Sequence, residues 1–134
     1  MVGNLGNILI VDDEPVVYDL LNQELGERGY SCAWAPDGKI ALTKLAAKEF
    51  DAVLLDIHLP GISGMDVLRS IGEIYPGIAV IMVTVVGNID MAVQAVKLGA
   101  SDYIVKPFEM ERLVSSIHAA LQGNHKPVLK ERFQ

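Results

Sequence analysis

The chain has 134 residues, 51% of them hydrophobic, and a formal net charge of −6. That length suits one domain with a proper buried core, and the acidic balance argues against a nucleic-acid surface of its own. The single cysteine, Cys32, excludes an internal disulfide and reads as a buried, inert thiol. No apolar run approaches the roughly 18 residues of a membrane-spanning helix, so a soluble, cytoplasmic protein is expected.

In chain order, residues 1–6 read as a loose leader. Asn7-Ile-Leu-Ile-Val-Asp12 is a short apolar run closed by Asp12-Asp13-Glu14-Pro15, which predicts a buried strand followed by a helix with proline in its first turn. Val16, Val17, Leu20, Leu21 and Leu25 recur at helical spacing, and Gly29 ends that helix. Tyr30–Ala35 alternates in part and fits an edge strand. Pro36-Asp37-Gly38 then turns into a second helix, with Asp37 as N-cap and Ile40, Ala41, Leu42, Leu45 and Ala46 along it. Ala52–Leu55 is wholly apolar and is broken by Asp56 and then by Pro60-Gly61, the pattern of a strand buried on both faces. Ser63 or Gly64 opens a third helix, which stops before Pro76-Gly77.

Ile78–Val83 is another buried strand, ending at Thr84. Asn88 caps a fourth helix that Gly99 stops, and a fifth strand, Ser101–Val105, ends at Lys106-Pro107. The last helix runs from about Glu109 to Leu121 with Leu113, Val114 and Ile117 on one face. Residues 7–122 thus form the domain, and 123–134 read as a linker or tail. Five strands alternating with five helices imply an α/β fold with one parallel sheet covered on both sides.

Asp12, Asp13, Asp56, Thr84 and Lys106 all fall at the carboxyl ends of predicted strands, the edge where open α/β sheets gather ligands. Singly, each reads as a cap, a turn residue or a solvated acid. Together they supply three carboxylates that repel unless a cation sits among them. Oxygen donors without a His or Cys cluster point to Mg²⁺. A hydroxyl and an ammonium beside that metal suit the oxygens of a phosphoryl group in transfer, and a carboxylate can be its nucleophile.

Ile8-Leu-Ile-Val-Asp-Asp-Glu14, Leu54-Leu-Asp-Ile-His-Leu-Pro-Gly61, Thr84 and Gly99-Ala-Ser-Asp-Tyr-Ile-Val-Lys-Pro-Phe108 resemble the receiver domain of bacterial two-component response regulators. The resemblance spans about residues 7–122. It implies a flavodoxin-like, doubly wound five-stranded sheet of order 2-1-3-4-5, the order of the chemotaxis receiver. It implies that Asp56 accepts a phosphoryl group from a sensor histidine kinase or a phosphotransfer protein. Asp13, Asp56 and the backbone carbonyl of His58 would bind Mg²⁺, with Asp12 helping through water. Thr84 and Lys106 would hold phosphoryl oxygens, Tyr103 would be an aromatic switch, and the Lys106–Pro107 bond would be cis. The surface of the fourth helix, fifth strand and fifth helix would then engage an effector domain or a second receiver, with no nucleic acid or membrane contact by this domain. Such a chain is no conventional enzyme, although it catalyses its own phosphorylation and dephosphorylation.

Val85 departs from the small residue usual after the threonine, and Ser63 replaces the usual acid before Gly64. His58, Val85 and Val86 are expected to border the pocket and tune rates. Alternatives are a pseudo-receiver that binds protein without phosphorylation, a Mg²⁺-dependent aspartyl-phosphate phosphatase and a flavodoxin-like cofactor carrier. The phosphatase would need an acid where His58 stands and a cap insertion; the carrier would need a phosphate-binding first loop in place of Asp12-Asp13. The polar stretch after residue 122 suggests a receiver taken from a longer regulator.

Overall fold

The computed structural model describes residues 4–123. Strands β1 (Gly6–Val11), β2 (Tyr30–Ala35), β3 (Ala52–Leu55), β4 (Ala79–Thr84) and β5 (Asp102–Val105) alternate with helices α1 (Pro15–Glu27), α2 (Gly38–Ala47), α3 (Gly64–Ile74), α4 (Ile89–Lys97) and α5 (Met110–Leu121). The strands form one parallel sheet in the order β2-β1-β3-β4-β5. This is the doubly wound order that the resemblance implied.

The near-continuous apolar character of β1, β3 and β4 follows from burial on both faces. Successive side chains alternate between two cores. Leu9, Val11, Val53, Leu55, Val80 and Met82 pack with α2, α3 and Ala95 of α4. Ile8, Ile10, Leu54, Ile81, Val83 and Ile104 pack on the opposite face with Leu21 and Leu25 of α1 and Leu113 and Ile117 of α5.

Local chemistry sets the helix ends. The side chains of Asp37, Ser63 and Asn88 accept the N–H groups of Ile40, Asp66 and Met91, each capping its helix three residues on. Gly29 and Gly99, at φ 98° and 108°, close α1 and α4 in the left-handed region that glycine enters freely.

Three expectations need correction. Asn4–Gly6 is not loose: Gly6 begins β1, the Leu5 N–H donates to the Gly29 carbonyl, and the Asn4 side chain accepts the Gly6 N–H. Val16 and Leu20 do not join the core but stand 77% and 54% exposed. Each lies one residue before a position that packs inward, Val17 or Leu21, which turns it about 100° around the helix. Cys32 is only half-buried, though burial still pushes its thiol up to about 11, so it stays protonated and unreactive near neutrality. The rest of the expected leader, 1–3, and the expected tail, 124–134, lie outside the described residues. Among the described residues no helix is long and apolar enough to cross a membrane.

The start of β5 is fastened to α5. Arg112 grips the Asp102 carboxylate at 2.8 and 3.1 Å, and the buried Ser116 hydroxyl donates to it at 2.7 Å. Burial alone would raise the pKa of Asp102. The hydrogen bonds from Arg112, Ser116 and the Tyr103 N–H, with the Arg112 charge, outweigh it and hold the carboxyl below its ordinary range.

Candidate functional site

Asp12, Asp56 and Lys106 are each the first residue past a strand, and each stays knitted into the sheet edge. The Asp12 N–H donates to Ala35 at the end of β2 (3.2 Å), the Asp56 N–H to Val11 at the end of β1 (3.1 Å), and the Lys106 N–H to Thr84 at the end of β4 (2.8 Å). The sheet register therefore delivers their side chains to one place. Asp12 and Asp56 are 3% and 7% exposed, and Thr84 is fully buried.

Lys106 joins the two acids. Its Nζ lies 2.7 Å from Asp12 Oδ2 and 3.2 Å from Asp56 Oδ2. Burial works against its charge, but the Asp12 hydrogen bond and the charges of Asp56 and Asp12 together raise its pKa. The other Asp56 oxygen, Oδ1, accepts the His58 N–H at 3.1 Å, while the His58 side chain is exposed.

The loop after Asp56 turns back so closely that a Cβ on Gly64 would sit 2.0 Å from the Asp56 carbonyl oxygen. The Gly64 N–H there donates to the Ile57 carbonyl at 2.8 Å. Only a residue without a side chain fits this approach.

The carboxylates of Asp12, Asp13 and Glu14 converge, with oxygens within 4.8 Å of one another. Like charges this close repel, and Lys106 on Asp12, solvent or a bound cation offsets that repulsion. Its all-oxygen donors fit Mg²⁺. Glu14 was not among the ligands expected from the sequence, although its place in the run Asp12-Asp13-Glu14 was a signal. Asp56 is not part of this trio; it is tied to Asp12 through Lys106.

On the far side, Thr84 Oγ1 accepts the Val86 N–H at 3.3 Å, and the Tyr103 hydroxyl donates to the Val86 carbonyl. Burial and then the Asp56 charge push the Tyr103 phenol above its ordinary value, which places that ring within electrostatic reach of the site. Val85 is 64% exposed. The Lys106–Pro107 bond is cis, as expected. One contact had no sequence signal: the indole Nε1 of Trp34 donates to the Asp12 carbonyl at 2.8 Å. An unpaired carbonyl cannot be read from residue types.

Residues 8–118 match the response regulator receiver domain family. The chain is 40% identical over 119 residues to the uncharacterized transcriptional regulatory protein YkoG of Bacillus subtilis, covering 89% of this chain and 52% of that protein. It is 42% identical over 118 residues to the nitrogen assimilation regulatory protein NtrX of Azorhizobium caulinodans, covering 87% and 26%. The chain thus spans about half the length of the first relative and about a quarter of the second. Among solved structures, a CheY-like receiver domain protein from Methanospirillum hungatei superposes with a TM-score of 0.84 at 32% identity, covering 88% of this chain and 94% of that one. The response regulator TrrA of Thermotoga maritima, solved in complex with Mg²⁺ and BeF, superposes with a TM-score of 0.77 at 35% identity, covering 84% and 96%. With the fold order and the acid–lysine edge in agreement, the chain belongs to the response regulator receiver domains of two-component systems.

Proposed function

We propose that this receiver is a phosphorylation-dependent switch whose acceptor is Asp56. The observation that carries the reading is the single ammonium of Lys106 lying between the Asp12 and Asp56 carboxylates, which brings the ends of β1, β3 and β5 to one point. In the reaction, an Asp56 carboxylate oxygen forms the new P–O bond while the P–N bond of a donor phosphohistidine breaks and the imidazole leaves. Water later attacks the phosphorus, inorganic phosphate leaves and the carboxylate returns. Asp13, Asp56 and the His58 carbonyl, with Asp12 through water and Glu14 near, would hold Mg²⁺, which would supply charge neutralisation for the phosphoryl oxygens.

The chain's own groups do the rest. The His58 N–H fixes one Asp56 oxygen. Lys106 leaves Asp12 for the phosphoryl oxygens, which carry roughly −1.5 to −2 charge. Thr84 turns its hydroxyl from the Val86 N–H towards the same oxygens. That movement acts on the loop to which Tyr103 is hydrogen-bonded, and so on α4, β5 and α5. The face these elements form then engages an effector domain or a second receiver in the cytoplasm, and the donor is a sensor histidine kinase or a phosphotransfer protein. Residues 7–122 are the receiver proper in this reading.

Incubation with Mg²⁺ and acetyl phosphate, followed by intact-mass measurement, tests it. Wild type gains one phosphoryl group and Asp56→Asn gains none. Equal labelling of the variant would move the acceptor elsewhere.

A further inference from the structure

Every polar atom of Asp12 is held. Its N–H donates to Ala35, its Oδ1 accepts the Glu14 N–H at 2.9 Å, and its Oδ2 accepts Lys106. Its main-chain carbonyl accepts the indole N–H of Trp34 at 2.8 Å. This last bond comes from a side chain with no part in phosphoryl chemistry. Trp34 is itself braced. Its ring stacks on Tyr18 of α1, with centroids 5.5 Å apart and planes 17° apart, and its own carbonyl accepts from Lys44 of α2.

We propose that Trp34 is a positioning residue whose indole N–H sets the Asp12–Asp13 peptide plane and so preorganises the acidic turn for its cation. The peptide unit is planar, so fixing the Asp12 carbonyl fixes the direction in which Asp13 leaves the strand. Asp13 and Glu14 are exposed, and the three carboxylates within 4.8 Å repel one another. A restraint on the main chain just before them keeps the turn from opening. The inference rests on the proposed Mg²⁺ role of this turn.

The test is a Mg²⁺ titration of the full chain followed by the backbone amide signals of Asp13 and Glu14, with Asp13→Asn as the control for lost binding. Trp34→Phe keeps an aromatic ring against Tyr18 and removes the donor. Replacing Trp34 by 3-benzothienylalanine removes only the N–H and keeps the two-ring shape. Both substitutions are expected to weaken Mg²⁺ affinity by about three- to tenfold, the size of one lost hydrogen bond. The metal-free thermal midpoint of the isostere falls by only a few degrees, about what one lost hydrogen bond costs the fold. Wild-type affinity in the isostere overturns the proposal, whatever Trp34→Phe does, because the ring would then matter and the N–H would not. A wild-type chain that shows no response to Mg²⁺ overturns the functional reading instead. The metal-free hydrogen exchange of the Asp13 and Glu14 amides then decides the positioning claim: faster exchange in the isostere supports it and unchanged exchange overturns it.

Discussion

Lys106 carries one positive charge between two buried carboxylates that lie 44 positions apart in the chain, at 12 and 56. Removing it would strand both acids, so its charge serves the fold before it serves a phosphoryl group. Val85 is, with Ser63, one of two residues that depart from the expected receiver pattern. It follows the fully buried Thr84 and is itself 64% exposed. Val85→Ala is expected to speed both phosphorylation by acetyl phosphate and loss of the phosphoryl group. In such in-line geometry about 1 Å of misplacement is worth up to roughly a hundredfold. Rates within about twofold of wild type would make Val85 a partner-surface residue instead. At this scale the sequence was legible where a side chain itself is the reagent. Asp12, Asp56 and Lys106 lie where their strand ends placed them, whereas Trp34 acts on a backbone oxygen and left no trace in residue type.

The connection from β3 to α3 shows how an element serves the site. It leaves Asp56, doubles back against its carbonyl at Gly64, and starts a helix capped by Ser63. Gly64→Ala would drive a methyl into that backbone and displace the Asp56 loop. The expected loss is about 1–3 kcal/mol in denaturant unfolding. Acetyl phosphate labelling should fall more steeply than stability, because the displaced atoms are those of the proposed acceptor. A variant that labels at the wild-type rate would show that the loop yields elsewhere. The caps at Asp37, Ser63 and Asn88 were readable from the sequence because a cap is a local bond over three residues. The exposure of Val16 and Leu20 was not, since which apolar stripe of α1 meets the sheet is decided by the strands it lies across. In α4 only Ala95 is buried, while Ile89 and Val93 stand 76% and 46% exposed. On the proposed reading, this light burial suits an element that shifts with the site.

For the molecule as a whole, burial leaves its mark on the alkaline side of the stability curve. The Cys32 thiol is raised from 9.0 to about 11 in the folded chain. The unfolded chain therefore loses that proton first, and the thiol's contribution is intact below pH 9.0 and is lost as pH rises through this window. Tyr18, Tyr30, Tyr103 and Lys106 are also raised and add to the fall from about 10 upwards. Thermal midpoints measured across this range should drop less steeply for Cys32→Ala than for wild type. Parallel slopes would show that the thiol titrates alike in both states. The alternation of five strands and five helices was legible because each buried strand is apolar on both faces and each is closed by a polar or turn residue. The edge strand β2 lies where it was expected, at Tyr30–Ala35, whereas the ends of β1, β4 and β5 moved by one residue, because where pairing stops is settled by the neighbouring strands and not by composition.

Lys106 stands 94 positions from Asp12 and 50 from Asp56, yet it touches both. No local segment of the chain contains the site, and none can rehearse its chemistry before the sheet has closed. The acid–lysine contact is therefore a certificate of folding. On the proposed reading, a chain still emerging, misregistered by one strand or opened at β5 has an aspartate but no acceptor, and a donor that meets it passes by. On the proposed reading, the signal can be written only onto finished copies, so the phosphorylated population is proofread by topology alone, without any separate quality-control step.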